Sequence, residues 1–130
     1  MASLFSRIIQ GDIPSYKIAE DEYFFAFLDI MPLAEGHVLV VPKSETDKIF
    51  DLDDAFLERM LCFAKPIAKA QEKAFSCKRV GMSVIGLEVP HAHLHLVPIS
   101  SADDLNFTRP KLNPPKEELE AAQQKIIQLL

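Results

Sequence analysis

Apolar positions recur along this chain with two different periods, one typical of strands and the other typical of helices. Short apolar runs that are bounded by turn-forming residues predict strands, because successive side chains of a strand face opposite sides of a sheet. Five segments fit this pattern: residues 16–19, 23–28, 37–41, 79–85 and 91–98. Near the start, a short helix is predicted between Ser3, a good capping residue, and Gly11, which suits a helix end.

The longest periodic segment runs from Asp53 to Phe75 and predicts a helix with one apolar face. The side chains that recur on this face at three- and four-residue intervals are Phe56, Met60, Phe63, Ala64 and Ile67. We expect the face to pack against a sheet. Pro66 lies inside the pattern and is expected to kink or split the helix, because proline lacks a backbone N–H.

The end of the chain predicts an extended segment and then a helix. Residues 106–115 contain three prolines and predict extended surface chain. A final helix is predicted at about residues 115–130. The apolar face of this helix would consist of Leu119, Ala122, Ile126 and Leu129.

The mixed order of these elements predicts the fold class. Neighbouring strands can pair as hairpins, which favours an α+β fold with a mostly antiparallel sheet and helices packed on it. No internal repeat, low-complexity tract or long linker divides the 130 residues. We therefore expect a single domain over residues 1–130.

Composition and charge argue against several classes of partner. The net charge is −5 and the basic residues are scattered, unlike the basic stripe of a nucleic-acid-binding protein, so no nucleic acid is expected. No apolar run approaches the roughly 20 residues that span a bilayer, and no signal-peptide pattern is present, so no membrane is expected. Cys62 and Cys77 are isolated, which favours a reducing compartment and a cytoplasmic location.

Three of the four histidines stand at alternate positions in the segment His91-Ala-His-Leu-His-Leu-Val97. On a strand, His91, His93 and His95 would line one face. The fourth, His37, begins another predicted strand. Because an imidazole with a pKa near 6.5 can act as nucleophile, base or acid at neutral pH, the row predicts an active site or a metal site.

The residue pattern leaves three interpretations of this row open. The histidines could be exposed strand residues without a role. They could instead bind a metal ion, since three histidines and a water form a known catalytic zinc pattern. In the third interpretation one imidazole attacks phosphorus covalently, while its neighbours orient it, bind phosphate oxygens and protonate the leaving group. The third accounts best for several imidazoles in one place.

The histidine segment resembles the His-φ-His-φ-His-φ-φ signature (φ apolar) of the histidine triad family. Further blocks are similar to the family in the same order and cover about the first 100 residues. Residues 4–14 resemble its opening helix and turn, residues 26–32 its nucleoside-binding strand end, and residues 36–43 the strand that carries its fourth histidine.

The resemblance implies a role for each matching residue. His93 corresponds to the nucleophile that becomes nucleotidylated, and His91 and His37 to the relay that orients and tunes it. His95 corresponds to the imidazole near the leaving group, and Asp29 to the carboxylate that accepts hydrogen bonds from both ribose hydroxyls. The positions that would wall the base are Phe5, Ile8, Phe27, Leu28 and Ile30.

The resemblance also implies a fold, an activity and an assembly. The fold would be a mostly antiparallel five-stranded sheet with one long helix and short N- and C-terminal helices, dimerising through the long helix and a strand. The activity would be hydrolysis or transfer of nucleoside monophosphates from phosphoramidates, dinucleoside polyphosphates or related esters, with a small purine nucleotide bound and neither cofactor nor metal. The alternatives are a dimeric nucleotide sensor with little turnover and a metalloprotein that uses the histidine cluster.

The loop before the histidines departs from the family pattern. Leu87 and Glu88 stand where many members carry a Gln and then a Ser or Thr, and an Asn is missing from residues 80–85. An ionised Glu88 would repel a phosphate by about 1–4 kcal/mol at 4 Å. We expect Glu88 to turn away, to pair with a base such as Arg79, or to shift substrate choice toward less anionic groups. Pro90 should stiffen the loop.

Overall fold

A five-stranded antiparallel sheet with three α-helices makes up the fold, seen in a computed structural model that describes residues 2–130. The strand order is β1-β2-β3-β5-β4. The elements are α1 (Leu4–Ile9), β1 (Lys17–Glu20), β2 (Phe24–Leu28), β3 (Val38–Pro42), α2 (Asp54–Ala74), β4 (Arg79–Ser83), β5 (Leu94–Ile99) and α3 (Lys116–Ile127). The predicted α+β class is confirmed.

Both faces of the sheet are covered at β2 and β3, which explains why these two strands are continuous apolar runs rather than alternating ones. Every residue of these two strands is buried. Phe24, Ala26 and Leu28 belong to a core that includes α2 and α3. Phe25 and Phe27 belong to a second, smaller cluster on the other face, which α1 covers with Phe5.

Helix α2 begins at a side-chain cap and continues without a break to Ala74. The Asp53 carboxylate accepts a hydrogen bond from the backbone N–H of Phe56 at 2.8 Å. Met60 and Ile67 are buried in the core, which confirms the predicted sheet-facing side. Pro66 lies within the helix, so the expectation that it might split the helix was wrong.

The C-terminal helix is shorter than predicted. It ends at Ile127, and Leu129, which was expected on its apolar face, is 45% exposed. Leu119, Ala122 and Ile126 are buried as expected. Within the part of the chain that the structure describes, no helix is long and apolar enough to cross a bilayer.

The predicted histidine strand, residues 91–98, begins three residues later than expected, at Leu94. His91 and His93 lie in the approach to β5 instead of in the strand. The reason is that this approach bonds to other partners: the Ala92 N–H donates to the Thr46 carbonyl at 2.7 Å, whereas pairing with β3 begins only with Leu94 opposite Val40. Strand β4 likewise ends early, at Ser83 instead of Ile85.

Candidate functional site

All four histidines are buried near the sheet face that α1 covers. His37 immediately precedes β3, and His95 lies in β5 opposite Leu39. His37 and His91 are at most 1% exposed, and His93 and His95 are 6% and 8% exposed. Because a buried polar group without a partner is costly, the hydrogen bonds of each ring define its chemistry.

The His93 ring is held in a defined tautomer. Its Nδ1 lies 2.7 Å from the His91 carbonyl oxygen. Since a carbonyl only accepts, Nδ1 must carry the proton and Nε2 keeps its lone pair. The Phe5 ring packs edge-on against His93 with centroids 4.9 Å apart. This arrangement leaves Nε2 of His93 as a free nucleophilic nitrogen.

His37 and His95 form a second hydrogen-bonded unit. The Leu33 N–H donates to Nδ1 of His37 at 3.0 Å, so a neutral His37 carries its proton on Nε2. That Nε2–H donates to Nδ1 of His95 at 2.9 Å. A neutral His95 must then carry its own proton on Nε2, where it can donate a hydrogen bond. The His93 and His95 rings are 4.9 Å apart.

The two histidines expected to form a relay with His93 connect to it differently. His91 bonds to His93 directly, and His37 bonds to His95, whose ring packs against that of His93. His91 contributes its carbonyl oxygen, while both of its ring nitrogens are engaged elsewhere, with the Ser3 hydroxyl and the Pro42 carbonyl at 2.7 Å each. His37 bonds to His95 and lies beside Asp29, with 3.8 Å between Nε2 and the carboxylate.

Burial keeps the imidazoles of His37, His93 and His95 neutral at neutral pH. Desolvation lowers the pKa of His37 to about 3 and that of His95 to about 4. Desolvation also lowers the pKa of His93, against an opposing effect of its hydrogen bond to the His91 backbone. The pKa of Asp29 is raised, again chiefly by burial. At pH 7 the site therefore offers neutral nitrogen bases and donors.

The residues expected to bind a nucleoside are only partly brought together. Phe5 and Phe27 stack edge-on at 5.5 Å, and Ile8 packs against the same cluster. Leu28 points instead into the core on the opposite face of the sheet and is 2% exposed. Ile30 is 58% exposed.

Asp29 lies directly after β2, beside the histidines. One of its carboxylate oxygens accepts the Met31 N–H at 2.9 Å, and its side chain is 23% exposed. The other oxygen faces His37. The carboxylate is therefore held in place while it stays accessible to a ligand.

Glu88 and Leu87 are both exposed, and Leu87 is 88% so. Among residues 2–130, no ion pair joins Glu88 to Arg79 or to another base, so the expected pairing is not found. The Glu88 charge raises the pKa of His93 and of Asp29. Glu88 is thus close enough to act on the site electrostatically.

Sequence reasoning missed the segment that covers the histidines on one side. The Phe107 ring lies 4.6 Å from the His95 ring and 6.2 Å from that of His37. The Lys111 ammonium lies 5.7 Å above the Phe107 ring and donates to the Phe107 carbonyl. One signal was present, since Phe107 is the only aromatic residue after His95.

One group of side chains beside the histidines has the composition of a metal site. Asp29, His37 and His95 offer ligand atoms within 4.8 Å of one another. A metal on Nε2 of His37 would move the ring proton to Nδ1, where it would oppose the Leu33 N–H that now donates there. The hydrogen bonds of His37 to Leu33 and to His95 therefore favour a proton on Nε2 of His37 over a metal ion at that nitrogen.

These features define an α+β protein with a buried histidine cluster. The model of the HIT domain, the histidine triad domain, matches residues 10–102, and the chain belongs to this family. A relative named adenosine 5'-monophosphoramidase HNT1, from Saccharomyces cerevisiae, is 41% identical over 98 residues, which cover 75% of this chain and 62% of the relative. An uncharacterized HIT-like protein of Borreliella burgdorferi is 38% identical over 113 residues, which cover 82% of this chain and 81% of the relative.

Solved structures of the family share the fold over nearly the whole chain. A Bartonella henselae HIT-like protein involved in cell-cycle regulation is 32% identical, with a TM-score of 0.84 over 98% of this chain and 96% of its own. A Zn-bound histidine triad family protein of Mycobacterium smegmatis is 29% identical, with a TM-score of 0.84 over 99% and 93%. The expected family and its five-stranded fold are confirmed.

Proposed function

We propose that this chain is a metal-independent hydrolase or transferase of nucleoside monophosphate derivatives that works through a covalent nucleotidyl intermediate on His93. The observation that carries the proposal is the His93 tautomer, with Nδ1–H bonded to the His91 carbonyl and the lone pair of Nε2 free. The monophosphoramidase name of the yeast relative supports a phosphorus–nitrogen bond as the bond that breaks.

In the proposed reaction, Nε2 of His93 attacks the phosphorus of a nucleotide substrate. The bond from phosphorus to the leaving group breaks, and the electron pair of that bond stays with the leaving group. The Nε2–H of neutral His95, which His37 orients through its own Nε2–H, donates a hydrogen bond to the leaving group, and the leaving group takes its proton from solvent. The positive charge on the nucleotidylated His93 is stabilised at Nδ1–H by the His91 carbonyl. Water then attacks phosphorus, and the bond between phosphorus and Nε2 of His93 breaks with its electron pair returning to Nε2. The nucleoside monophosphate is released, and the second proton of the water goes to solvent.

The proposed nucleoside subsite lies between Asp29 and the Phe5–Phe27 pair. The exposed part of the Asp29 carboxylate would accept hydrogen bonds from two ribose hydroxyls, and the aromatic pair with Ile8 would contact a purine base. Leu28 takes no part in this subsite because it faces the opposite core.

A second candidate function, a nucleotide-binding sensor with little turnover, is favoured by Glu88. Its negative charge acts on both His93 and Asp29, where an anionic phosphate would have to bind. The two candidates make the same binding prediction and opposite predictions for turnover.

We further propose that two copies assemble through α2 and β4. Strand β4 is an edge strand, which leaves one row of its backbone groups free to pair. An apolar groove of about 410 Å³ lies beside it. Leu61 on α2 and Met82 on β4 line this groove and are 52% and 49% exposed.

A light-scattering measurement on Leu61→Glu and Met82→Glu variants tests the assembly, because a charge buried at the contact should yield monomers. Phe50→Glu is the matched control, since Phe50 is 90% exposed and lies outside this groove. A dimer that survives both groove substitutions would contradict the proposed contact.

The activity is tested by intact-protein mass spectrometry during turnover of an adenosine phosphoramidate. Wild type should carry a transient adduct of one nucleoside monophosphate, and His93→Ala should carry none while it still binds nucleotide. Full activity in the presence of a chelator would separate this mechanism from the metalloprotein alternative. Tight binding with neither adduct nor product would favour the sensor.

A further inference from the structure

A polar cluster, buried except for the exposed Glu45, joins the start of α1 to the segment that carries His91. We define the Ser3 cluster as Ser3, Ser6, Glu45 and the His91 ring. The Ser3 hydroxyl lies 2.7 Å from Nδ1 of His91, and the Ser6 hydroxyl donates to the Glu45 carboxylate at 2.8 Å. The same carboxylate oxygen accepts the Ser3 N–H. Ser3 and Ser6 are each 8% exposed, and His91 is completely buried.

For a neutral His91 ring, the hydrogen bonds place the protons of the Ser3 cluster. Nε2 of His91 faces the Pro42 carbonyl at 2.7 Å, which only accepts, so Nε2 carries the proton and Nδ1 must accept. The single hydroxyl proton of Ser3 therefore goes to Nδ1 of His91, and that of Ser6 goes to Glu45. The Ser3 oxygen in turn accepts the Ser6 N–H at 3.0 Å.

The cluster matters for chemistry because His91 holds His93. The His91 ring is bonded at both nitrogens, and the next residue donates its N–H to the Thr46 carbonyl at 2.7 Å. The peptide between these anchors presents the carbonyl that accepts the Nδ1–H of His93. Which nitrogen of His93 carries the proton depends on this one acceptor.

We propose that Ser3, Ser6 and Glu45 are positioning residues that hold the His91 peptide and thereby fix the tautomer and direction of the His93 imidazole. This inference rests on the proposed function of His93 as nucleophile. It assigns a role in the reaction to Ser3 and Ser6 at the start of α1 and to Glu45 in the loop after β3, which act through the His91 peptide.

The first test removes and restores the Ser3 hydroxyl. Ser3→Ala leaves Nδ1 of buried His91 without a donor, so the His91 peptide loses one anchor. We expect kcat to fall by about tenfold or more, since small misplacements of a catalytic group are costly, with KM changed less than about threefold. Ser3→Thr restores a hydroxyl and should recover most of kcat. Ser44→Ala, an exposed serine in the neighbouring loop, should be unchanged.

The second test separates hydrogen bonding from charge at Glu45. One Glu45 oxygen accepts both donors, so Glu45→Gln can keep both bonds through its amide oxygen, whereas Glu45→Ala loses them. We expect Glu45→Gln to stay within about threefold of wild-type kcat and Glu45→Ala to lose about tenfold. Asp47→Asn is the charge-matched control in the same loop.

The decisive readout is the nitrogen NMR spectrum of the His93 ring, which reports its tautomer without any turnover. Wild type and Glu45→Gln should show protonated Nδ1 and free Nε2, and Ser3→Ala and Glu45→Ala should show a mixture of tautomers. An unchanged His93 tautomer in folded Ser3→Ala and Glu45→Ala would overturn the inference, whatever their activity. A changed tautomer in a protein whose wild type has no turnover would support the positioning and contradict only the proposed reaction.

Discussion

At the scale of single residues, the protonation state of His93 should set the acid limit of the reaction. Burial lowers its pKa below the usual value near 6.5, so the nucleophilic free base persists to a lower pH than in an exposed histidine. We expect kcat/KM to stay flat below pH 6.5 and to fall only as the pH drops through this lowered pKa. A pH–rate profile of the wild type measures it.

The Glu88→Gln variant tests whether the acid limb of that pH–rate profile belongs to His93. The Glu88 charge raises the pKa of His93, so its removal should move the acid limb to lower pH. An acid limb that does not move, or that moves to higher pH, would show that the limb belongs to another group.

A second residue-scale prediction concerns Gly36, which immediately precedes His37. Its φ of +85° lies in the left-handed region, and a Cβ there would overlap the Phe75 ring. Gly36→Ala should therefore cost about 1–2 kcal/mol for the backbone and a further amount for displacing Phe75. Gly11→Ala is the matched control, because its φ is +86° and no atom lies within 4 Å. Urea unfolding measures the free energy of unfolding of both variants, and the difference between them reports the cost of the Phe75 overlap. Equal losses of stability would contradict this overlap.

The histidines themselves could be predicted from sequence, but their hydrogen bonds could not. Four histidines in family-like blocks mark the site, whereas the partners of each ring come from residues far apart in the chain, such as Ser3 for His91 and Leu33 for His37. Leu28 shows the same limit. It neighbours Phe27 in sequence, yet alternation along β2 places it on the other face.

At the scale of elements, the segment from Phe107 to Lys111 brings a positive charge to a site in which His37, His93 and His95 are neutral. The Lys111 charge adds to the effect of burial in lowering the pKa of His37 and His95, and it opposes the effect of burial on the pKa of Asp29. The electric field of Lys111 therefore reaches the site. Lys111→Gln should weaken binding of a nucleoside monophosphate several-fold and reduce the salt dependence of that binding.

Arg109→Gln is the control for Lys111, because Arg109 lies on the same segment but is ion-paired with Asp103 and Asp104. Calorimetric titration at two salt concentrations measures both variants. If the two substitutions weakened binding equally, the effect would come from the net charge of the molecule rather than from the placement of Lys111.

Elements were predicted well where the apolar periodicity of the sequence defines them. They were predicted poorly where contacts with residues distant in the chain set their bounds. The face of α2 and the existence of all five strands follow from local pattern. The start of β5 does not, because the bond between Ala92 and Thr46 competes with pairing to β3. The contact of Phe107 with His95 is a tertiary contact that a proline-rich segment does not reveal.

At the scale of the whole molecule, one buried side chain ties the large core to the site. Gln71 of α2 is completely buried, and its amide donates to the carbonyls of Gly36 and Leu96 at 2.7 and 2.9 Å. These residues flank His37 and His95 in the chain. The helix on one face of the sheet therefore fixes the backbone that carries histidines on the other, so the stability of the fold and the protonation of the site are coupled.

That coupling predicts how the stability of the protein depends on pH. The pKa values of His37 and His95 are about 3 and 4 when folded, against about 6.5 when unfolded, so between these values the unfolded chain binds more protons. The free energy of unfolding should therefore rise with pH across this window. The stability that the two neutral histidines contribute should disappear as the pH falls from about 7 toward 3. At pH 5 the loss relative to pH 7 is about 2 kcal/mol for His37 alone.

Two features limit the total loss of stability that His37 and His95 cause at low pH. His37 and His95 share a hydrogen bond, so their losses do not simply add, and the raised pKa of Asp29 acts in the opposite direction at the acid end. Urea unfolding at several pH values between 4 and 7 measures the slope. His37→Gln removes one titrating group and should flatten this slope even if the variant is less stable at pH 7. A slope unchanged by this substitution would show that His37 is not held neutral by the fold.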